Sequence, residues 1–161
     1  MPRADIGGWA TSNQAVYDMY KKYLSVTKDC GTNTGCYPQE AAKYAFNYKN
    51  SVDGNKDSRQ IEGSFLTMVL ADGAQISVMR TYNACSGNSG QFMTGSDNVC
   101  SFIHADVNGS KNPNMYGYDV FYFALKEDGL YPAGTELPNY CRTYGGQACA
   151  ARVLSENAIN Y

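Results

Sequence analysis

Charge is scarce in this chain. Asp, Glu, Lys and Arg make up 17% of its 161 residues, whereas roughly 25% is usual for a soluble domain. The formal net charge is −2, and basic residues never exceed two in a row, at Lys21 and Lys22. A nucleic-acid binder usually presents a basic face, and electrostatic attachment to acidic lipids needs a basic cluster. We therefore expect neither a nucleic-acid partner nor a polybasic contact with a membrane.

Long apolar runs are also absent. No stretch reaches the ~18 apolar residues of a transmembrane helix, and residues 1–8 lack the hydrophobic centre of a signal segment. The cysteines point the other way, because an even set of six favours disulfide bonds, which form outside the cytoplasm. Either the protein is cytosolic after all, or an export and anchoring segment has been removed from the sequence; we favour the second explanation.

The six cysteines fall into three local couples, with 5, 14 and 7 residues between the partners. The couples are Cys30 and Cys36, Cys85 and Cys100, and Cys141 and Cys149. Each couple encloses a stretch rich in Gly, Asn, Ser or Thr, so we predict this local pairing among the many that six cysteines allow. Free thiols and a zinc site are the alternatives. Zinc ligands usually come as closer Cys pairs with His partners, and this chain has one His.

His104 is that single histidine, so any Ser–His–Asp or Cys–His site must use it. It lies in a predicted strand, on the same face as Asp106 two residues later. The Gly-x-Ser-x-Gly nucleophile motif is absent, and the cysteines are predicted to be paired. We therefore expect a solvent-facing or hydrogen-bonded histidine and a structural protein rather than an enzyme. A pair of carboxylates brought together by folding, as in glycosidases, stays open as an alternative.

Two segments have helical periodicity. Thr11 and Gln14 fit a capping box, and the residues that follow it repeat an apolar face at helical spacing. That face consists of Val16, Met19, Tyr20, Tyr23 and Leu24. A second short helix is predicted after Pro38, and polar residues 50–59 are predicted to form a loop. The apolar positions of the second helix are Ala41, Tyr44, Ala45 and Tyr48.

The pattern then changes to that of strands. Residues 65–70 and 75–79 indicate a hairpin closed by Asp72 and Gly73, and residues 102–107 and 120–125 supply two more strands. This order predicts an α+β fold in which the N-terminal helix and the second short helix pack on an antiparallel β-meander with disulfide-closed loops. We expect one globular domain over residues 1–161. Residues 150–161 fit either a short helix or an extended segment.

A turn-rich segment joins the last two predicted strands. Asp106, Asn108 and Ser110 place side-chain oxygens at alternate positions, and Asp119 follows. Loops that bind hard cations use this arrangement, although glycines at the fourth and twelfth positions do not fit an EF-hand. These four residues are a candidate calcium loop of another type, and no other cofactor is expected. The alternative is a set of turns closed by Asx hydrogen bonds.

Four segments within residues 60–161 form a set. The most specific is Asp106-Val107-Asn108-Gly109, continued by Pro113-Asn114, Gly117, Asp119 and Phe121. The others are Leu70-Ala71-Asp72-Gly73, Gly129-Leu130-Tyr131-Pro132-Ala133-Gly134, and the cysteine-closed loop before the C-terminus. Together they resemble the C-terminal region of type IV pilin-like and pseudopilin-like proteins.

The resemblance implies a structural subunit of a type IV pilus or of a type II secretion-like pseudopilus. Such subunits have a long N-terminal helix that anchors them in the inner membrane and later packs in a filament core. Residues 11–24 would be the remnant of that helix, and Cys141–Cys149 would close the C-terminal loop of the head. The family's hydrophobic helix segment and its peptidase cleavage site are absent from this sequence.

The implied partners are other pilin or pseudopilin subunits, with a surface ligand as a further candidate. The inner membrane would be reached only through the absent N-terminal helix. The implied location is extracytoplasmic, in the periplasm or in a filament at the cell surface. The first alternative is a secreted, disulfide-rich binding or adhesin module, and the second is a secreted hydrolase.

Overall fold

The computed structural model describes residues 12–33, 36, 43–45, 58–60, 65–88, 98–111, 113–136, 140–143 and 145–159. Within them the helices are α1 (Asn13–Tyr23), α2 (Tyr140–Thr143) and α3 (Ala150–Glu156), with a 3₁₀ turn at Asn83–Cys85. The strands are β1 (Val26–Gly31), β2 (Lys43–Ala45), β3 (Ser58–Gln60), β4 (Leu66–Leu70), β5 (Gln75–Thr81), β6 (Val99–Asp106), β7 (Val120–Lys126) and β8 (Gly129–Pro132). No helix in these ranges is long and apolar enough to cross a membrane.

Six of the strands form one antiparallel sheet in the order β1-β4-β5-β6-β7-β8. Strands β4 to β8 are neighbours in both sequence and space, so the predicted meander and the α+β class are confirmed. The predicted hairpin turn is present, because Gly73 has φ +91° and Asp72 Oδ1 accepts the Ala74 amide at 3.0 Å. The edge strands β1 and β8 were not predicted.

The second predicted helix is wrong where the structure describes it. Residues 43–45 form β2, which pairs with β3 through Tyr44 opposite Arg59. The predicted loop over residues 50–59 is likewise wrong at its end, because β3 begins at Ser58. Hydrogen bonding to β3 stabilises an extended backbone here. Tyr occurs in strands at least as readily as in helices, so its spacing alone did not distinguish the two. The other positions of the predicted helix lie outside the described residues.

Helix α1 begins one residue later than predicted. Ser12, not Thr11, is the N-cap, and its hydroxyl accepts the Ala15 amide at 3.1 Å. Val16 is buried as predicted, but Tyr17 is buried instead of Tyr23, which is 76% exposed. The Tyr17 hydroxyl lies 2.7 Å from the Thr67 carbonyl oxygen of β4 and 2.6 Å from Asp29 Oδ1. These contacts fix the helix on one face of the sheet.

The face of the sheet beneath α1 is apolar. Cross-strand partners share a face, so the ladder places Leu66, Val78, Ile103 and Phe123 in one row. This row packs with Val16 of α1 in one hydrophobic cluster. We call this surface the helix face of the sheet.

The opposite face carries polar side chains that are nonetheless buried. One row runs Thr67, Ser77, His104 and Tyr122, and the next includes Gln75 opposite Asp106. The Thr67 and Ser77 hydroxyl oxygens lie 3.0 Å apart. Cys36 and the C-terminal segment around Ala133 and Ala150 pack on this side. We call it the polar face.

Candidate functional site

All six cysteines are in disulfide bonds. The pairs are Cys30–Cys36, Cys85–Cys100 and Cys141–Cys149, with sequence separations of 6, 15 and 8. The predicted local connectivity is therefore confirmed, and the free-thiol and zinc alternatives are wrong. Cys141–Cys149 joins α2 to the start of α3. The sequence was compatible with either a short helix or an extended segment over residues 150–161, and residues Ala150–Glu156 form a helix. Disulfides of this kind favour an oxidising compartment.

The β6–β7 loop is organised around Asp119, which is buried. Its Oδ1 accepts the Met115 amide at 2.7 Å, and its Oδ2 accepts the Asn114 amide at 2.8 Å and Asn108 Nδ2 at 3.2 Å. Three donors on one carboxylate hold the ends of the loop together. The loop also packs on the β4–β5 turn, because a Cβ at Gly109 (φ +68°) would collide with the Gly73 carbonyl.

Three of the four residues predicted to bind calcium lie together. The Asn108 amide donates to Asp106 Oδ1 at 3.1 Å, while its side chain donates to Asp119, so Asn108 connects two buried carboxylates. Ser110 lies toward the polar face, where its Oγ accepts Gln75 Nε2 at 3.2 Å. The Asx hydrogen bonds of the alternative are therefore present. Calcium binding itself stays a prediction.

His104 is completely buried, so the solvent-facing interpretation is wrong. Its ring centroid lies 5.4 Å from that of Tyr116 and 5.1 Å from that of Tyr122, and the two tyrosine rings stack at 5.0 Å. The Tyr122 hydroxyl donates to the Tyr116 hydroxyl at 2.9 Å. Burial lowers the pKa of His104 to about 3, so the ring is neutral at physiological pH. The alternation of side chains along a strand shows which residues share a face. It does not show whether that face is covered by other parts of the protein or exposed to solvent.

A groove that the sequence did not predict lies between β8 and α3. It has a volume of about 760 Å³ and is open to solvent. Its lining residues are Pro132, Gly134, Thr135, Ala151, Arg152, Leu154, Ser155 and Glu156. Arg152 Nε donates to Glu156 Oε1 at 2.8 Å, and Leu154 is largely exposed. The groove forms where α3 packs beside β8. This packing could not be predicted from the sequence, because no local residue pattern specifies it.

Within the described ranges no three His, Cys, Asp or Glu side chains are grouped so as to hold a metal ion.

Comparison with known proteins adds no family. No protein-family model, no curated protein and no solved structure matches this chain.

Proposed function

We propose that the chain is the globular head of a type IV pilin-like or pseudopilin-like subunit, with a structural role and no catalytic one. The proposal comes from the residue pattern of the C-terminal two thirds, and the fold is compatible with it. A head of this class would carry a helix that leads directly into an antiparallel sheet and a cysteine-closed loop near its C-terminus.

The structural observation that best supports the proposal is the position of α1. The helix precedes the sheet in the chain and packs on its helix face through Val16 and Tyr17. The hydroxyl of Tyr17 reaches the backbone of β4 at Thr67, and Lys21 Nζ lies 2.6 Å from Asp29 Oδ2 in β1. A helix held to the head in this way could transmit the position of a continuing assembly helix to the sheet.

The run of residues that carries the resemblance also has a structural role. Asp119, Asn108 and Asn114 are joined by hydrogen bonds, and Asn114 (φ 47°) and Gly117 (φ 85°) have left-handed backbones. Asn and Gly adopt this conformation most readily. The residues of the pattern therefore stabilise one another within a single loop. This shared structural role supports treating them as one motif in the proposal.

The partners under this proposal are other pilin or pseudopilin subunits, assembled at the cell surface or in the periplasm. The first test is the gene sequence upstream of residue 1. An in-frame apolar segment of ~20 residues after a short basic leader supports the proposal. A cleavable signal peptide in that place overturns it.

The second test is direct localisation. Antibodies to the purified domain should label filaments by immunogold electron microscopy, or a detergent-soluble inner-membrane pool in a strain that lacks the assembly ATPase. Detection of the protein in the culture medium alone, with none in membranes or filaments, contradicts the proposal.

A secreted binding or adhesin module is the second candidate, and the groove between β8 and α3 favours it. Leu154 lines that groove and leaves apolar surface exposed in it. If the groove binds a ligand, Leu154→Asp should reduce adhesion of the purified domain to cells or surfaces. Val107→Asp is the matched control, because Val107 is similarly exposed but lies in the β6–β7 loop. Equal adhesion of both variants and the native protein removes this candidate.

A further inference from the structure

The β6–β7 loop contains a chemically labile dipeptide. Asn108 and Gly109 are the only Asn-Gly pair in the chain. A glycine has no side chain to hinder its backbone nitrogen, so this nitrogen can attack the amide carbon of a preceding asparagine. Asparagine is for this reason one of the thermolabile residues of proteins. The contacts of the two residues explain why the loop contains the pair.

Gly109 is required by its surroundings. Its φ of +68° is in the left-handed region, which residues with a side chain rarely adopt. A Cβ at this position would also collide with the Gly73 carbonyl oxygen in the β4–β5 turn. That oxygen belongs to the backbone, so it cannot move without displacing the turn. A side chain at position 109 would therefore separate the loop from the turn on which it packs.

Asn108 is required for a different reason. Its backbone amide donates to Asp106 Oδ1 at 3.1 Å, and its Nδ2 donates to Asp119 Oδ2 at 3.2 Å. Both carboxyl groups are buried, at 0% and 3% exposure. A neutral amide donates to a carboxylate, whereas an aspartate of the same shape would add a third carboxylate beside the first two. Position 108 therefore needs an uncharged donor.

The contacts that require the labile pair also restrain it. Succinimide formation joins the Gly109 nitrogen to Asn108 Cγ, which demands particular side-chain and backbone torsions at Asn108. The hydrogen bonds to Asp106 and Asp119 restrict both. Asp119 is itself held by the backbone amides of Met115 and Asn114, at 2.7 and 2.8 Å. The reaction of the folded protein should therefore depend on the fraction of molecules in which the loop is open.

We propose that Asn108 is a site of covalent modification, at which the side-chain amide becomes a carboxylate through a succinimide, and that the folded loop delays this conversion. The Gly109 nitrogen loses its proton and bonds to Asn108 Cγ. The Cγ–Nδ2 bond breaks, and ammonia leaves with a proton taken from water. Water then adds to one of the two ring carbonyl groups and opens the ring, which gives aspartate or isoaspartate at position 108.

The product destabilises the loop that delayed its formation. It has a carboxylate beside Asp106 and Asp119 and no amide hydrogen to donate, and isoaspartate also adds a methylene carbon to the backbone. Buried groups of like charge without a donor are unfavourable. The modification is irreversible, so it limits the lifetime of the folded protein as a rate and not as an equilibrium. It concerns the chain alone and does not rest on the pilin assignment.

The native protein gives the primary test. Samples with intact disulfides are kept in mildly alkaline buffer with and without concentrated urea, and mass spectrometry follows the peptide that contains Asn108. We expect aspartate and isoaspartate at this position in urea, and formation at least about tenfold slower without urea, because the folded protein reacts only when the loop opens. A smaller difference in rate overturns the delay by the loop. No product in urea overturns the modification site.

The route through Gly109 is tested in urea, where the folding of a variant does not matter. Gly109→Ala should slow the conversion of Asn108, because the added methyl group hinders the attacking nitrogen. Asn157 precedes Ala158 and should likewise convert more slowly than Asn108 in the native chain. An unchanged rate in Gly109→Ala would mean direct hydrolysis of the amide and overturn the succinimide route.

Asn108→Asp tests the consequence, because it places the product carboxylate in the loop from the start. Its melting temperature should be about 5 °C below that of the native protein. Val107→Asp is the matched control, since Val107 is exposed in the same loop and should change the melting temperature by less than about 1 °C. Equal melting temperatures of Asn108→Asp and the native protein overturn the proposed destabilisation.

A second measurement covers the case in which Asn108→Asp does not fold. Native protein is aged in buffer, and its melting temperature is compared with the modified fraction at position 108. The melting temperature should fall as that fraction rises. A constant melting temperature despite extensive modification overturns the proposed destabilisation in the same way.

Discussion

The helix face and the polar face of the sheet are both buried, but they are built from different chemistry. On the helix face, Met68, Val78 and Ile103 pack beneath α1 with no polar group to satisfy. On the polar face, Thr67, Ser77 and His104 occupy the same strands one residue away and are equally inaccessible. Apolar contact dominates the first face, and the Tyr17 hydroxyl of α1 is satisfied by Asp29 and by the Thr67 carbonyl oxygen. The second needs a partner for each polar group, so its stability depends on geometry as well as on area.

Truncation on the helix face should have the largest effect. Met68→Ala removes a side chain with no exposed surface and leaves a cavity under α1, for which we expect a loss of about 2–5 kcal/mol in the free energy of unfolding. Urea denaturation followed by circular dichroism measures it. Leu130→Ala is the control, because Leu130 is half exposed on β8 and should change stability by less than about 0.5 kcal/mol. Equal effects of the two variants would mean that α1 does not cover Met68.

The two faces each contain a disulfide, and these should differ in their contribution. Cys85–Cys100 belongs to the helix-face cluster and closes a separation of 15 residues, whereas Cys30–Cys36 packs on the polar side and closes 6. Chain entropy predicts losses of about 3 and 2 kcal/mol for the respective Cys→Ala pairs. Thermal melts of both double variants test the order. A reversed order would show that native packing around the sulfur atoms outweighs loop closure.

The polar face should weaken in mild acid because of His104. Burial holds its pKa near 3 in the folded protein, below the ordinary value of 6.5. Below pH 6.5 the unfolded chain therefore binds a proton that the folded chain does not, and stability falls by about 1.4 kcal/mol per pH unit. Between pH 6.5 and 5 the loss should reach about 2 kcal/mol. Urea titrations at each pH measure it, and His104→Gln should flatten the slope.

If the free energy of unfolding of His104→Gln falls with pH as steeply as that of the native protein, groups other than His104 cause the acid sensitivity. The comparison is restricted to pH values above 5, because carboxylates begin to titrate below it.

The difference between the faces also explains what the sequence could predict. Short runs rich in apolar residues and bounded by turn residues located β4, β5, β6 and β7 within a few residues, because such runs are the local signal of a strand. The polar side chain of His104 within such a run suggested contact with solvent. That suggestion was wrong because a sequence does not show whether a polar face is covered, and here the cover comes from residues far away in the chain, such as Cys36 and Ala133.

The candidate site was predictable only in part, for a related reason. Turn-forming residues identified the β6–β7 loop, and alternate oxygens identified Asp106, Asn108 and Asp119 as its polar members. Gln75 could not be found this way, since it lies 31 residues before Asp106 and meets it only through the β5–β6 register. Asn114 lacked a signal because it donates to Asp119 through its backbone amide, a group that every residue except proline has.

The smallest expected effect tests whether hydrogen bonding, and not area, holds the polar face together. Thr67→Val keeps the shape of the side chain but removes the hydroxyl that lies 3.0 Å from Ser77 Oγ, so a loss of about 1 kcal/mol is expected. Ser77→Ala should cost a similar amount. In the double variant neither hydroxyl remains to be left unpaired, so its loss should be smaller than the sum of the two. Additive losses would show that the two hydroxyls do not interact and that a hydrogen bond between them does not stabilise the polar face.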